Sequence, residues 1–459
     1  MGALNSANIK KTIYYLQRNG LKNTWYAAQE RLAQAKESPY TYVAPSAEEL
    51  ARQRQVVVQG AENGTYEGID FSVVVPLYRT KSVFLQELIE SLQAQTYPYW
   101  EVILADATED DSVWEIVKEY EANPAIRYVH LSSNDGISAN TNAALPYAKM
   151  NYIGLLDHDD ILTPDALFEM AETIRQAKEQ GQELQLIYSD EDKCNGEATE
   201  YYEPHYKEKF NYDLILSNNY ICHFMVMRRE LMQKLGFRPE YDGAQDYDLV
   251  LRAVTELEIP ANPAKEVFIA HVPKILYHWR CHASSTAENP RSKEYAYEAG
   301  RRALQSHIDM NNIPGNAVHL KHVGFYQVEY PADVFAARKD IGAIGSALTR
   351  KGKIVSGRMD EEGNVYYKGL SKHFSGYLHR AVLTQSAEVV DIRSMIVREE
   401  LRDLFRRITG VTYKTIPGTQ IFDVSTLPEG TNYKELSVKL SKEIRRQGYR
   451  LQWYRRGNG

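Results

Sequence analysis

The sequence predicts an α/β protein whose main domain is built on a largely parallel β-sheet, and two observations predict it. From Asp70 onward, short β-branched runs alternate with segments of helical apolar spacing, the pattern of repeated strand, turn and helix units. The sharpest local signal, the acidic cluster Asp157-His-Asp-Asp160, directly follows one of those runs. That is where the carboxyl ends of parallel strands place ligand-binding loops.

The elements follow in order. Residues 1–46 carry Ile9, Ile13, Tyr14, Leu16, Leu21, Trp25 and Leu32 at helical spacing, divided by Asn19-Gly20, and predict a helical hairpin. Lys10, Lys11, Arg18 and Lys22 make its first half basic, which leaves two readings open: contact with anionic lipid or plain docking on the main domain. Glu48–Gly68 reads as a linker with a helical start. Phe71-Ser-Val-Val-Val-Pro76 is the first strand, ended by proline, and Leu85, Leu88, Ile89 and Leu92 mark the helix after it. The unit recurs as Glu101–Ala105 with Trp114–Tyr120, Ile126–Leu131 with Ser138–Ala148, and Tyr152–Leu156 with Ala166–Ala177. Leu184–Tyr188 reads as a further strand.

At 459 residues the chain exceeds one ordinary core, since domains average roughly 150 residues. Its hydrophobic fraction of 43% and charged fraction of 25% are ordinary globular values and exclude wholesale disorder. A net charge of −7 argues against a dedicated nucleic-acid binder. Cys194, Cys222 and Cys281 form no Cys-x-x-Cys pair, so neither a zinc ribbon nor a disulfide framework is encoded and a reducing compartment is expected. The N-terminus carries no secretory signal pattern, and no apolar run is long enough to span a bilayer. The 33 tyrosines hint at sugar binding, because sugar rings pack on aromatic faces.

Three segments carry candidate chemistry. In Leu155-Leu-Asp157-His158-Asp159-Asp160 clustered carboxylates call for a cation, and Mg²⁺ or Mn²⁺ held by carboxylate oxygens bridges readily to a nucleotide diphosphate. A solvated acidic turn capping the next helix is the bland alternative. In Gly243-Ala-Gln245-Asp246-Tyr-Asp248, Asp246 is either a helix cap or a general base that takes an acceptor hydroxyl proton. In Tyr277-His278-Trp-Arg280-Cys-His282-Ala-Ser-Ser-Thr286, imidazoles and a guanidinium are of the kind that completes a metal shell or holds a diphosphate.

Taken together, residues 71–287 resemble the family 2 glycosyltransferases of the GT-A, Rossmann-like fold. The resemblance runs through Ser72-Val-Val-Val-Pro76-Leu-Tyr78, Gln95–Glu101, Asn134-Asp-Gly136-Ile-Ser-Ala-Asn140, Asp157-x-Asp159, Ser189-Asp190-Glu-Asp-Lys193, Tyr220-Ile-Cys-His223, Gln245-Asp246 and His278-Trp-Arg280 with His282. It implies an inverting enzyme with Asp246 as base and Mn²⁺ or Mg²⁺ on Asp157, Asp159, His278 and His282. By the same resemblance Pro76, Tyr78, Asp106, Asn134, Gly136, Asn140, Asp157, His158, Asp159 and Arg280 hold the nucleotide-sugar, and Asp190, His223 and Gln245 face the acceptor. Two departures stand out: Leu104-Ala-Asp106-Ala-Thr108 has one aspartate where the family often has two, and Gln245 replaces a common glutamate.

Beyond Gly324 an internal echo occurs, since Ser394-Met-Ile-Val-Arg-Glu-Glu-Leu401 resembles Phe224-Met-Val-Met-Arg-Arg-Glu-Leu231. Extended, it sets Leu436–Lys439 on Leu249–Arg252 and Tyr433 at the place of Asp246. The expected organisation is thus a hairpin and linker over residues 1–68, a catalytic domain over 69–323, and an α+β domain over 324–459. The last reads either as a degenerate half-repeat for acceptor binding or assembly, or as an unrelated α+β domain. The resemblance further implies a bacterial, cytoplasmic enzyme of surface polysaccharide assembly, with a UDP- or dTDP-sugar donor and a saccharide or lipid-linked acceptor. Peripheral contact at the inner membrane face and a homodimer stay open. Two rivals remain: a sugar-nucleotide pyrophosphorylase, disfavoured because Pro76-Leu-Tyr-Arg-Thr80 holds no glycine-rich loop, and a non-catalytic carbohydrate-binding scaffold.

Overall fold

The computed structural model describes residues 6–34, 40–282, 294–331 and 333–455. Helix α1 (Ser6–Gln34) bends at Gly20, whose φ of 73° and ψ of 170° are not helical. The break expected at Asn19-Gly20 thus falls on the single residue Gly20. Helix α2 (Ala47–Glu62) starts at Ser46, which accepts a capping hydrogen bond from the Glu49 N–H. It corrects the linker reading, because the polar-looking run buries Gln53 and Val57 on one face, and the Gln53 amide oxygen accepts from Thr96 Oγ1 at 2.8 Å.

The main sheet uses β1 (Phe71–Leu77), β2 (Trp100–Asp106), β3 (Ile126–His130) and β4 (Tyr152–Leu155), connected by α3 (Ser82–Gln93), α4 (Trp114–Val117) and α5 (Ile137–Ala144). It continues through β5 (Ile161–Leu162), α6 (Ala166–Glu179), β6 (Leu186–Cys194), β7 (Tyr201–His205), α7 (Tyr212–Ile215), β8 (Met225–Arg228), α8 (Arg229–Leu235), α9 (Gln245–Glu256) and β9 (Ile269–Arg280). The strand order is β3-β2-β1-β4-β8-β6-β9-β5, with β7 paired to β6. The first four strands are parallel, as expected of the α/β class, and β8 runs back antiparallel between β4 and β6. Alternation along β1 sends Val74 into one core and Val73 and Val75 into the other, so the sheet is buried on both faces.

After α10 (Glu294–Met310) and the hairpin β10 (Asn316–His319) with β11 (Tyr326–Glu329), the chain forms a second, smaller unit. Its elements are α11 (Val334–Ala337), β12 (Ile341–Ser346), β13 (Leu348–Arg350), β14 (Lys353–Ser356), β15 (Arg358–Met359), β16 (Gln385–Ala387), β17 (Val389–Val390), β18 (Ile396–Val397), α12 (Arg402–Thr409), α13 (Tyr433–Arg446) and β19 (Arg450–Tyr454). In its sheet, ordered β16-β19-β12-β18, β18 is antiparallel and β19 parallel to β12. The same relation holds for β8 and β9 on either side of β6. Tyr433-Lys434 begin α13, the helix before β19, as Gln245-Asp246 begin α9, the helix before β9.

Candidate active site

Strand register assembles the site. Parallel pairing sets Leu77 beside Asp106 and Asp106 beside His130, so the loops after β1, β2 and β3 share one edge. On β4, Leu155 pairs with Met225 of antiparallel β8. Continuing that register carries Asp157, just past β4, opposite His223, just before β8. Tyr188 of β6 also pairs with Met225, which brings the acidic end of β6 to the same place.

On the expected donor side, Asp106 is fully buried, accepting from Tyr128 Oη at 2.7 Å and from the Thr108 N–H at 2.9 Å. Tyr78, past Pro76 at the end of β1, donates to Glu109 at 3.0 Å. The Asn134 amide oxygen accepts from Asn140 Nδ2 at 2.9 Å, which fixes the loop into α5. Gly136 in that loop has a φ of 95°, a conformation that favours glycine, and a Cβ there would stand 2.7 Å from Asp242 Oδ2 and push that carboxylate aside.

The β4–β5 loop presents Asp157, His158 and Asp159. Asp157 is half exposed and lies 3.7 Å from His223 Nε2, His158 Nδ1 meets Thr80 Oγ1 at 3.0 Å, and Asp159 pairs with His282 at 2.9 Å. Asp160 is buried beneath, accepting from Tyr277 Oη and from the Arg280 N–H, the latter at 2.7 Å. Burial first, then its neighbours Asp159 and Asp157, push its carboxyl well above the usual range.

Two expectations about the metal and diphosphate groups need correction. Arg280 does not face a diphosphate: fully buried, it donates to the carbonyls of Asp159 and Gly196, both at 2.6 Å, and pairs with Glu87. It braces the acidic loop from behind. His278 does not join Asp157 and Asp159, since strand alternation turns it away from Tyr277 and its Nδ1 meets Asp192 at 2.5 Å. Among the described residues no group of three or more His, Cys, Asp or Glu is gathered to hold a metal. Of the remaining candidates His282 stands on Asp159 at 2.9 Å, and the carboxylates Asp157 and Asp159 are the chemistry that suits Mg²⁺ or Mn²⁺, which often take one or two carboxylates and complete their shell with phosphate and water. Ala283, Ser284, Ser285 and Thr286 of the late motif lie outside the described residues.

On the acceptor side, Asp246 Oδ2 accepts from Asn219 Nδ2 at 3.0 Å and from the Cys222 thiol at 2.7 Å, and Oδ1 accepts from the Tyr247 N–H at 2.9 Å. Gln245 is spent locally, accepting from the Gly243 N–H at 2.8 Å. His223 Nδ1 meets Glu191 at 3.0 Å, and the His223 ring stacks on Tyr277 with centroids 4.8 Å apart. Asp190 is turned away from this cluster: it is buried, accepting from the Lys207 N–H at 2.7 Å and paired with His271 at 2.7 Å. Alternation along β6 makes Glu191 the residue that faces His223. Burial works to raise the Glu191 carboxyl, but Lys207, His205 and His223 outweigh it and hold it below the usual range.

The sequence reading missed Asn219, Cys222, Glu191 and Lys207. The buried Lys207 ammonium donates to the carbonyls of Ile221, Cys222 and His223, so it shapes the loop that carries two of the contacts. Burial, then the Asp246 charge, push the Cys222 thiol up, which keeps it protonated as a donor. Cys222→Ala should lower the turnover rate about tenfold, the loss of one hydrogen bond to a charged group at ~1.4 kcal/mol, whereas Cys222→Ser should retain most of it. Steady-state rates of the two variants check this, and equal losses in both would refute a donor role.

Residues 72–236 match the family model described as glycosyl transferase family 2. Similar proteins include an uncharacterized protein, y4gI, of Sinorhizobium fredii, 38% identical over 62% of this chain and 30% of that one. The O-antigen biosynthesis protein RfbC of Myxococcus xanthus is 30% identical over 57% of this chain and 20% of that one. The chain thus spans a third or less of the length of these relatives. Among solved structures, TarS 1-349 of S. aureus in complex with UDP aligns over 52% of this chain and 65% of that one, at 20% identity and a TM-score of 0.39. Residues 72–236 are therefore assigned to glycosyl transferase family 2.

Proposed function

We propose that this chain is a metal-dependent, inverting glycosyltransferase that moves a sugar from a nucleotide-diphospho-sugar, of the UDP or dTDP type, to a saccharide or lipid-linked acceptor in bacterial surface polysaccharide synthesis. The observation that carries the reading is one run of polar contacts across the site. Asp157 stands 3.7 Å from His223, His223 stands 3.1 Å from Cys222, and Cys222 stands 2.7 Å from Asp246. The loop suited to a donor diphosphate and the carboxylate suited to an acceptor hydroxyl are thus fixed relative to each other, which is what positioning two substrates for displacement requires. A relative named for O-antigen biosynthesis supports the polysaccharide setting.

In this reaction Asp246 takes the proton of an acceptor hydroxyl, whose oxygen attacks the anomeric carbon from the face opposite the phosphate. The bond from that carbon to the phosphate oxygen breaks, the nucleoside diphosphate leaves with the electron pair, and one displacement inverts the anomeric centre. Asp157 and Asp159 would hold a divalent cation, which would supply charge stabilisation for the departing diphosphate. Tyr78 and Asp106 line the nucleoside end, and Glu191 with His223 lines the acceptor end. The unit over residues 324–459 serves as a degenerate half-repeat for acceptor binding or assembly. Its support is the shared arrangement of β12, β18, β19 and α13 with β6, β8, β9 and α9.

Thermal unfolding with UDP, dTDP, GDP or CMP, with and without Mn²⁺, tests the reading, because a ligand bound only to the native state raises apparent stability by ~2.7 kcal/mol at about 100 times its dissociation constant. One nucleotide is expected to shift the transition only with Mn²⁺, and Asp159→Ala should abolish that shift. No shift with any of them would move the assignment to a non-catalytic carbohydrate-binding scaffold.

A further inference from the structure

The outer face of α1 is apolar, exposed and ringed by cations. Leu21, Trp25 and Leu32 are 80%, 64% and 69% exposed, and with Ala28 they stand at i, i+4, i+7 and i+11, one narrow stripe along the helix. The opposite face is already used. Tyr26 stacks on His373 with centroids 4.2 Å apart, and Glu30 accepts from Ser375 Oγ at 3.0 Å and from the Gly376 N–H at 2.6 Å. The helix is therefore pinned to the body of the protein with its apolar stripe outward, and nothing in the chain covers that stripe among the described residues.

Charge selects the occupant. Ser6–Gln34 contains five basic residues and one acidic residue, and that acid, Glu30, is buried against Ser375 and Gly376. Arg18, Lys22 and Arg31 are exposed, and Lys372 is exposed beside His373. The chain as a whole carries −7, so this helix is a local cationic patch on an acidic protein. Two copies of such a face would repel one another, whereas an anionic lipid surface attracts the cations and takes up the leucines and the indole.

We propose that the Leu21–Trp25–Leu32 face of α1 is an interfacial anchor that seats the protein on anionic membrane lipid. The inference goes beyond the transferase reading and does not depend on it, since its readout is partition rather than turnover. The full chain is floated with vesicles of phosphatidylcholine, and with vesicles of phosphatidylglycerol mixed into phosphatidylcholine. Wild type is expected with the anionic vesicles only, with weaker recovery at high salt. A Leu21→Glu, Trp25→Glu double variant is expected to lose at least about tenfold in partition, and Lys22→Glu to lose less. An unchanged unfolding temperature shows that the variants keep their fold, because the direct contacts to His373, Ser375 and Gly376 are made by Tyr26 and Glu30, which both variants retain. Three results would overturn the proposal: no recovery with anionic vesicles, recovery that the double variant leaves unchanged, or a concentration-dependent rise in mass that the double variant abolishes, which would make the face a contact between copies.

Discussion

Replacing Asp246 with asparagine is expected to lower sugar transfer by ~10²–10⁴-fold, the range attributable to a positioned general base, with little change in the apparent affinity for the donor. The substitution keeps size and shape. An asparagine oxygen can still accept from Asn219 and Cys222, which now meet Asp246 Oδ2 at 3.0 and 2.7 Å, so the loop from 219 to 223 should hold its place. What is lost is the ability to take a proton. Rates measured at saturating donor and acceptor, beside the metal-dependent nucleotide shift on the same protein, separate this outcome from misfolding. A variant that binds nucleotide normally and turns over within about tenfold of wild type would remove Asp246 from the role of base, and Glu191, on the far side of His223, would become the next carboxylate to test.

Much of the first half of the fold was legible because its signals are local. A β-branched run such as Phe71–Val75 followed by Leu85, Leu88, Ile89 and Leu92 states strand and helix in its own periodicity, and the observed β1 and α3 cover those residues. Asp157, Asp159, His223 and Asp246 stand out as candidates in the sequence because each sits in a short motif of unusual chemistry. What the motifs did not reveal is which way a side chain points. Asp190 and Glu191 are neighbours, and only the pairing of β6 with β8 and β9 decides that Glu191 faces His223 while Asp190 meets His271. Arg280 and His278 carry the right functional groups for a phosphate or metal site, but alternation along β9 and burial commit them to Asp159, Gly196 and Asp192. Asn219 and Cys222 escaped because an amide and a lone thiol become meaningful only beside Asp246, a residue distant in the chain. The run read as a linker hid α2, whose buried face includes a polar residue, Gln53, that a hydrophobic pattern cannot register.

The larger structural effect belongs to Arg338. Its guanidinium is 1% exposed and pairs with Asp213, also 1% exposed, at 2.9 Å and with Asp340 at 2.7 Å. Arg450 adds contacts to Asp340 at 2.7 Å and to Glu266 at 2.8 Å. Asp213 and Glu266 come from the unit built on the main sheet, whereas Arg338, Asp340 and Arg450 come from the unit that follows, so the seam between them is a buried ion network. Arg338→Met leaves Asp213 buried without its cation and Asp340 with Arg450 alone, a change expected to destabilise by ~3–5 kcal/mol, because breaking one side of a buried pair exposes the full desolvation penalty of the other. Burial works to raise the Asp340 carboxyl, but Arg338 and Arg450 outweigh it and hold it down at about 2. A carboxyl depressed in the folded state stabilises the fold above its unfolded value of about 4 and loses that contribution as pH falls toward its folded value. The gap in unfolding temperature between wild type and Arg338→Met should therefore stay wide from neutral pH down to about 5 and narrow below about 4, where wild type protonates Asp340 and loses the stability its pairing contributes. In a chain of this size the transition is followed by its midpoint and by the coincidence of two probes, since a single unfolding free energy holds only for two-state behaviour. If the seam couples the two units, wild type unfolds in one transition and Arg338→Met splits it in two, the unit over residues 324–459 melting first; one unshifted transition in the variant would show that the apolar contacts hold the units together without the ions.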